Sequence, residues 1–265
     1  MGARLAQALA PIGTVLATSR RELDLADADA LRQHVRDARP DVIVNAAAYT
    51  AVDKAETETE LVSAVNAVAP GILAEEAKRL GALLVHYSTD YVFSGEANAP
   101  YKEGDATAPL SVYGRTKLDG EERIRSSGCR HVILRTSWVY DTRGRNFLLT
   151  ILKRARAGET LRVVGDQQGV PNWSAMIARA TAACIERGGE GLFHLSAAGQ
   201  TSWHGFAREA LGYAGVAATL EEITSAQYPT PAPRPRYSVL DNGKLERAVG
   251  LRFADWREDL RAALL

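Results

Sequence analysis

An α/β protein built on a doubly wound, mainly parallel sheet is the fold class that the sequence predicts, and three observations carry it. Short apolar runs alternate with helical patterns up to about residue 165. Two of the runs, Val42-Ile43-Val44 and Leu83-Leu84-Val85, are continuous rather than alternating, as in strands covered by helices on both faces. Polar residues follow the runs directly: Asn45, then Ser88-Thr89-Asp90, then Thr136-Ser137-Trp138. Open α/β sheets bind ligands beyond the carboxyl ends of their strands.

The elements follow in order. The opening MGARLAQALAPIG places Leu5, Leu9 and Ile12 on one helical face, and Pro11-Ile12-Gly13 stops the helix. TVLAT (14–18) predicts a strand, and DADALRQHVRDAR a helix with Asp27 or Asp29 near its start. PDVIVNAAA (40–48) predicts a strand buried on both faces. A helix spans 57–80, with Pro70 as a bend or joint. GALLVHYST (81–89) is a second buried strand, and the Gly-, Ala- and Pro-rich stretch 95–110 an exposed loop. A helix over 111–127, a strand over 131–140, a helix over 146–157 and a strand over 161–164 follow. Past 165 the rhythm loosens: a helix at 174–187, GLFHLS, a helix at 203–214, the proline-dense YPTPAPRPR (228–236) and a terminal helix over 255–264. The predicted division is a dinucleotide-binding domain over 1–165 and a smaller substrate region over 166–265, with some chain crossing between them.

Composition narrows the function. Of 265 residues, 46% are apolar and 24% charged, with 32 basic against 32 acidic side chains. That balance gives no electrostatic case for nucleic acid or a polyanionic surface. Cys129 and Cys184 lie far apart in apolar surroundings, which fits buried thiols in a reducing compartment and no metal spacing. No run of 18 apolar residues offers a transmembrane helix, and the first helix has the wrong layout for a signal peptide. The expectation is a soluble cytoplasmic protein.

The chemistry gathers at the strand ends. In VYGRTKLDGEE, Tyr113 and Lys117 are four apart on a helix and share a face. A free tyrosine, with a pKa of about 10, is a poor acid at neutral pH, and a nearby ammonium lowers that value. Such a pair can protonate a carbonyl oxygen while hydride reaches its carbon; alone, it also fits a solvated helix face. In LLVHYSTDYVFSG a buried strand delivers Ser88, Thr89 and Asp90 to its end, where a hydroxyl can hold a developing oxyanion or simply terminate the strand. After VIVN, three alanines allow close approach of a ligand to the backbone. Asn45 can fix the loop, and Asp53 and Glu56 can cap or start a helix.

The strings PDVIVNAAAYTAVDKAE, VHYSTDYVFSG, PLSVYGRTKLDGE, LRTSWVY, NF, DQQGVP and YPTPAPRP occur in this order. Together they resemble the dTDP-4-dehydrorhamnose reductases, extended short-chain dehydrogenase/reductases with a Rossmann-like fold, over nearly the whole chain. The resemblance implies reduction of the C4 ketone of dTDP-4-dehydro-6-deoxy-L-mannose to dTDP-L-rhamnose by NADPH or NADH. It implies Tyr113 as proton donor, Lys117 as the group that lowers its pKa and holds the nicotinamide ribose, and Thr89 as partner of the C4 oxygen. Asp90 and Trp138 would contact the sugar nucleotide. Ala48, Tyr49, Thr50 and Tyr87 would line the cofactor, Tyr49 replacing a histidine common in the family. Asn146, Phe147 and the loop with Arg234 and Arg236 would lie near the nucleotide, where arginine suits diphosphate; the bland reading is surface charge. Asp24 and Leu25 match positions beside the adenine. Ser19 and Arg20 follow TVLAT where an NAD-preferring fold places an acidic residue, which favours NADPH, unless these side chains merely face solvent. A homodimer is expected from the family. Magnesium at a dimer interface occurs in some relatives, but no spacing here identifies a metal site. Alternatives on the same fold are another sugar-nucleotide epimerase or dehydratase, and a non-catalytic regulatory protein such as the reductase-like subunit of methionine adenosyltransferase.

The family begins with a strand and a turn of the form GxxGQ(L/M)G. Set against it, Met1 falls on the turn's hydrophobic residue and Gly2 on its last glycine, so the first strand and most of the glycine-rich turn have no counterpart in these 265 residues. The expectation is a translation start upstream of Met1, and weak NADPH binding by the 265-residue chain.

Overall fold

The computed structural model describes residues 1–265. Four parallel strands form its main sheet: β1 (Val42–Asn45), β2 (Leu83–Thr89), β3 (Arg130–Thr136) and β4 (Gly191–His194), adjacent in that order. Alternate strand residues face opposite sides, and each side has its own helices. Leu84 and Ile133 point into a cluster with Leu31, Val35, Ile72 and Ile124. That cluster belongs to α2 (Ala28–Ala38), α3 (Ala69–Leu80) and α4 (Val112–Ser127). Val85, Tyr87, Val132 and Leu134 point into the larger cluster on the other side. That side is covered by α1 (Gly2–Leu9), α5 (Phe147–Arg156), α6 (Ser174–Glu186) and α7 (Trp203–Tyr213). The predicted α/β class and parallel sheet are borne out.

Asp27, Ser111, Asn146 and Ser202 each accept a first-turn backbone N–H and so start α2, α4, α5 and α7. Pro70 stands where the predicted helix over 57–80 has its joint. A π-helical turn, Ala64–Val68, precedes α3 there, and Pro70 follows it in the first turn of α3.

Three expectations are corrected. TVLAT is not a strand: it has no strand to pair with, and Val15 and Leu16 are exposed, Leu16 by 68%. Backbone donors and acceptors left without a ladder turn to water. For the same reason β1 is an edge strand, and Val42, Ile43 and Val44 are half-buried rather than covered on both faces. Third, the strand predicted over 131–140 breaks at Ser137-Trp138, where Trp138 takes the left-handed conformation with φ 43°. Val139–Tyr140 then leaves the sheet to pair with Asn172–Trp173.

Elements cross the expected boundary at 165/166. Gly191–His194 completes the main sheet, whereas Leu161–Val164 pairs with Leu220–Ile223, a strand that the sequence pattern did not suggest. α1 is likewise held by later chain. It packs on α6; Arg4 makes a two-pronged ion pair with Asp141 (2.9 and 2.8 Å), which also accepts from Ser174, and the guanidinium lies over Trp173. The thiols of Cys129 and Cys184 are free and buried. No helix is long and apolar enough to cross a membrane.

Candidate active site

The polar strand ends meet at one edge of the sheet. β2 runs fully buried to Thr89, and the chain turns at once through the short helix Asp90–Val92, which Thr89 caps by accepting from Tyr91 N at 3.2 Å. Thr89 gives its own proton to Asp90 Oδ1 at 3.0 Å. The other Asp90 oxygen is buried with no partner, and burial pushes this carboxyl up to about 6.

α4 brings Tyr113 and Lys117 to the same place. Its first turn is fixed twice: Ser111 Oγ accepts from Gly114 N, and Glu56 Oε1 accepts from Val112 N at 2.8 Å. A side chain at Gly114 would overlap the Tyr91 carbonyl, and one at Gly120 the Asn66 carbonyl, so two glycines let α4 lie against the site's backbone. The Tyr113 phenol adjoins the Thr89 hydroxyl. Burial pushes it up to about 12, the Thr89 hydrogen bond opposing and the Asp90 charge adding.

Lys117 is buried, and its ammonium is spent on β2: 2.6 Å to the Tyr87 carbonyl and 3.0 Å to His86 Nε2. Burial lowers its pKa to about 8 against the pull of Glu121. The expected lowering of Tyr113 by Lys117 is therefore corrected. The ammonium is tied to the strand, burial dominates at the phenol, and Tyr113 stays protonated at neutral pH.

The loop after β1 is small and pinned. Asn45 is buried at the strand end, and Ala46, Ala47 and Ala48 leave a strip of backbone bearing nothing larger than a methyl group. Asn66, in the π turn, clamps Tyr49 from both sides, accepting from its N–H (2.9 Å) and donating to its carbonyl (3.1 Å). The Tyr49 hydroxyl bonds Glu58, and Thr50 is exposed. Tyr87 departs from its expected place. As an odd-numbered residue of β2 its ring faces α6, where its hydroxyl meets Thr181 at 2.5 Å, and only its carbonyl reaches the site.

On the opposite side Trp138 stacks on Trp203, with ring centroids 3.6 Å apart and planes 10° from parallel. A side chain at Gly169 would enter the Trp138 ring. Asn146 caps α5 with its oxygen and gives its amide N–H to the Asp141 carbonyl at 2.8 Å. Arg234 closes from the proline-dense loop: its guanidinium takes both Asp53 oxygens at 2.8 Å, and Asp53 also accepts from Ala232 N. Asp53, read as a helix-starting residue, thus ties this loop to the short helix Val52–Ala55 behind β1.

The predicted residues at the start of the chain lie apart from this cluster. Gly2 opens α1 with free space around it. Ser19 N bonds Glu22, Arg20 is exposed and 3.8 Å from Asp24, and Leu25 is half-buried against the α2 cluster. Asn66 and His86 were not singled out by the sequence. The only signal for either is a polar residue within an apolar run, AVNAV and LLVHY.

The family model described as "RmlD substrate binding domain" matches residues 1–265. A dTDP-4-dehydrorhamnose reductase from Burkholderia thailandensis is 44% identical, over 97% of this chain and 92% of that protein. Among solved structures, a dTDP-4-dehydrorhamnose reductase from Clostridium acetobutylicum superposes with a TM-score of 0.96 at 36% identity, covering 99% of this chain and 94% of that one. One from Bacillus anthracis, in complex with NADP, gives 0.93 at 31% identity, covering 99% and 96%.

Proposed function

The chain belongs to the RmlD substrate binding domain family, and we propose that it reduces dTDP-4-dehydro-L-rhamnose to dTDP-L-rhamnose with NADPH or NADH, the last step in making that sugar nucleotide. One observation supports the reading above all: the Tyr113 and Thr89 hydroxyls adjoin at the end of β2, with Lys117 anchored one helical turn behind.

The cofactor supplies hydride to C4 of the sugar. Tyr113 gives its phenolic proton to the C4 oxygen as that oxygen gains charge, so the alcohol leaves with one hydride and one proton. A phenol kept protonated by burial is in the right state to begin a reduction. Thr89, turning its hydroxyl proton away from Asp90, holds the same oxygen. Lys117 holds the nicotinamide ribose with the N–H that β2 leaves free. Ala48, Tyr49 and Thr50 line the cofactor along the pinned strip after β1. Asp90, Trp138 and Asn146 face the sugar nucleotide, and Arg234 orders the loop beside it through Asp53. Gly2, Ser19, Arg20, Asp24 and Leu25 serve the adenosine end, Arg20 favouring a 2′-phosphate. The same reading puts the enzyme in the cytoplasm, which suits two free thiols, as a homodimer.

The test is direct. Mixed with dTDP-4-dehydro-L-rhamnose, the protein should consume NADPH and form dTDP-L-rhamnose. Tyr113→Phe should cut kcat by about 1,000-fold while NADPH binding, followed by fluorescence, stays nearly intact. Full turnover by Tyr113→Phe would remove the tyrosine from its role; no turnover by a chain that binds NADPH would sink the reductase reading.

A further inference from the structure

None of these steps uses the polar group behind Lys117. His86 sits within β2, 1% exposed, between Lys117 and Asn45. Its Nε2 is 3.0 Å from Lys117 Nζ, and its Nδ1 is 3.1 Å from Asn45 Nδ2. A buried imidazole with both nitrogens bonded avoids the cost of an unsatisfied polar atom.

Counting protons fixes the arrangement. An ammonium has three N–H groups and accepts nothing. The Tyr87 carbonyl takes one of them. The second, toward His86, requires a bare Nε2, so the ring proton sits on Nδ1. Two donors cannot face each other, so the Asn45 amide must be turned over, setting its oxygen where Nδ2 lies and accepting that proton. One N–H of Lys117 is left, and the other two are fixed by adjacent residues of a single buried strand.

We propose that His86, held in its Nδ1–H form by Asn45, is a positioning residue that fixes the Lys117 ammonium so that its third N–H is aimed at the cofactor ribose beside Tyr113. The proposal rests on the reductase reading for the ribose and on the geometry alone for the tautomer. Burial, with the Lys117 charge adding, holds the imidazole well below its ordinary range and therefore neutral. The charged groups acting here are Lys117 on His86 and Glu121 of α4 on Lys117, and Glu121 is already bonded to Arg135 and Ser88. Asn45, Tyr87 and Tyr113 complete the neighbourhood and carry no charge.

Nitrogen-15 NMR of the imidazoles in the unaltered, folded chain reads the tautomer. The expected proton is on Nδ1, and a proton on Nε2 overturns the proposal whatever the activity. His86→Leu should lower kcat roughly 10- to 100-fold with KM for the sugar nucleotide unchanged. It should also move the alkaline limb of the kcat profile to lower pH, because the ammonium loses an acceptor. His86→Gln, which can set an amide oxygen near the Nε2 position, should restore most of the rate and the profile. An unchanged kcat and profile in folded His86→Leu, or equal losses in the Leu and Gln variants, overturns the proposal. Absence of turnover in the unaltered chain counts against the reductase reading instead, and leaves the tautomer to decide the His86 geometry.

Discussion

Thr14–Thr18 and Leu83–Thr89 are both short, β-prone and apolar, yet one is bare and unpaired while the other is the most enclosed strand of the molecule. β2 pairs with β1 on one side and β3 on the other, and every residue in it is buried. Residues 14–18 have no ladder partner, and Leu16 is 68% exposed. The two stretches differ little in composition and wholly in neighbours. Strand propensity measures fit to a pleated, half-buried surface, and without that surface it builds nothing. Part of the proposed site lies on the enclosed strand: Thr89, His86 and the Tyr87 carbonyl all belong to β2.

Three measurements press on that contrast. Leu84, with no exposed surface, packs between β2 and the α2–α3–α4 helices. Leu84→Ala should cost about 2–5 kcal/mol in denaturant unfolding; a loss below about 1 kcal/mol would mean that β2 is not the centre it looks to be. Asp90 tests the working end of the same strand. Its carboxyl titrates near pH 6 when folded, against about 3.9 in an unfolded chain. The folded state therefore holds a proton that the unfolded chain has already released. Stability falls as pH rises from about 4 to about 6, and the full penalty stands above that. Asp90→Asn should thus raise stability by about 1–3 kcal/mol at about pH 8, give no gain at about pH 4, and lower turnover. Equal effects at both pH values would show that the carboxylate is not the source. The smallest effect belongs to the bare stretch: Leu16→Ala should change stability by less than about 0.5 kcal/mol, and a larger loss would mean that Leu16 is buried in solution.

What was legible in the sequence was what is local. The Tyr113–Lys117 spacing, Asp27 at the start of α2 and the continuous Leu83–Val85 run each depend on a few neighbouring residues, and each is where the sequence places it. The illegible parts depend on distant chain. Whether Thr14–Thr18 becomes a strand is decided by a partner, not by its own residues. Leu220–Ile223 is a strand because Leu161–Val164 lies beside it. Asp53 finds Arg234 across 181 positions of sequence, and no spacing rule spans that gap. Lys117 was placed correctly but given one job too many, because its partners on the strand, His86 and the Tyr87 carbonyl, are invisible until the helix is docked.

The anchoring of α1 has a consequence for the order in which the molecule can form. Arg4 and Asp141 are 137 positions apart, and Ser174 and Trp173, which complete the anchor, come later still. On a chain growing from its amino end, α1 has no anchor until Asp141, Trp173 and Ser174 have followed it. An eight-residue helix is too short to persist alone in water. α1 therefore settles only once that later chain is in place. Closing so long a loop also makes this contact a slow one. Substitutions at Arg4 or Asp141 should show their effect mainly in the rate of unfolding and leave the rate of folding nearly untouched.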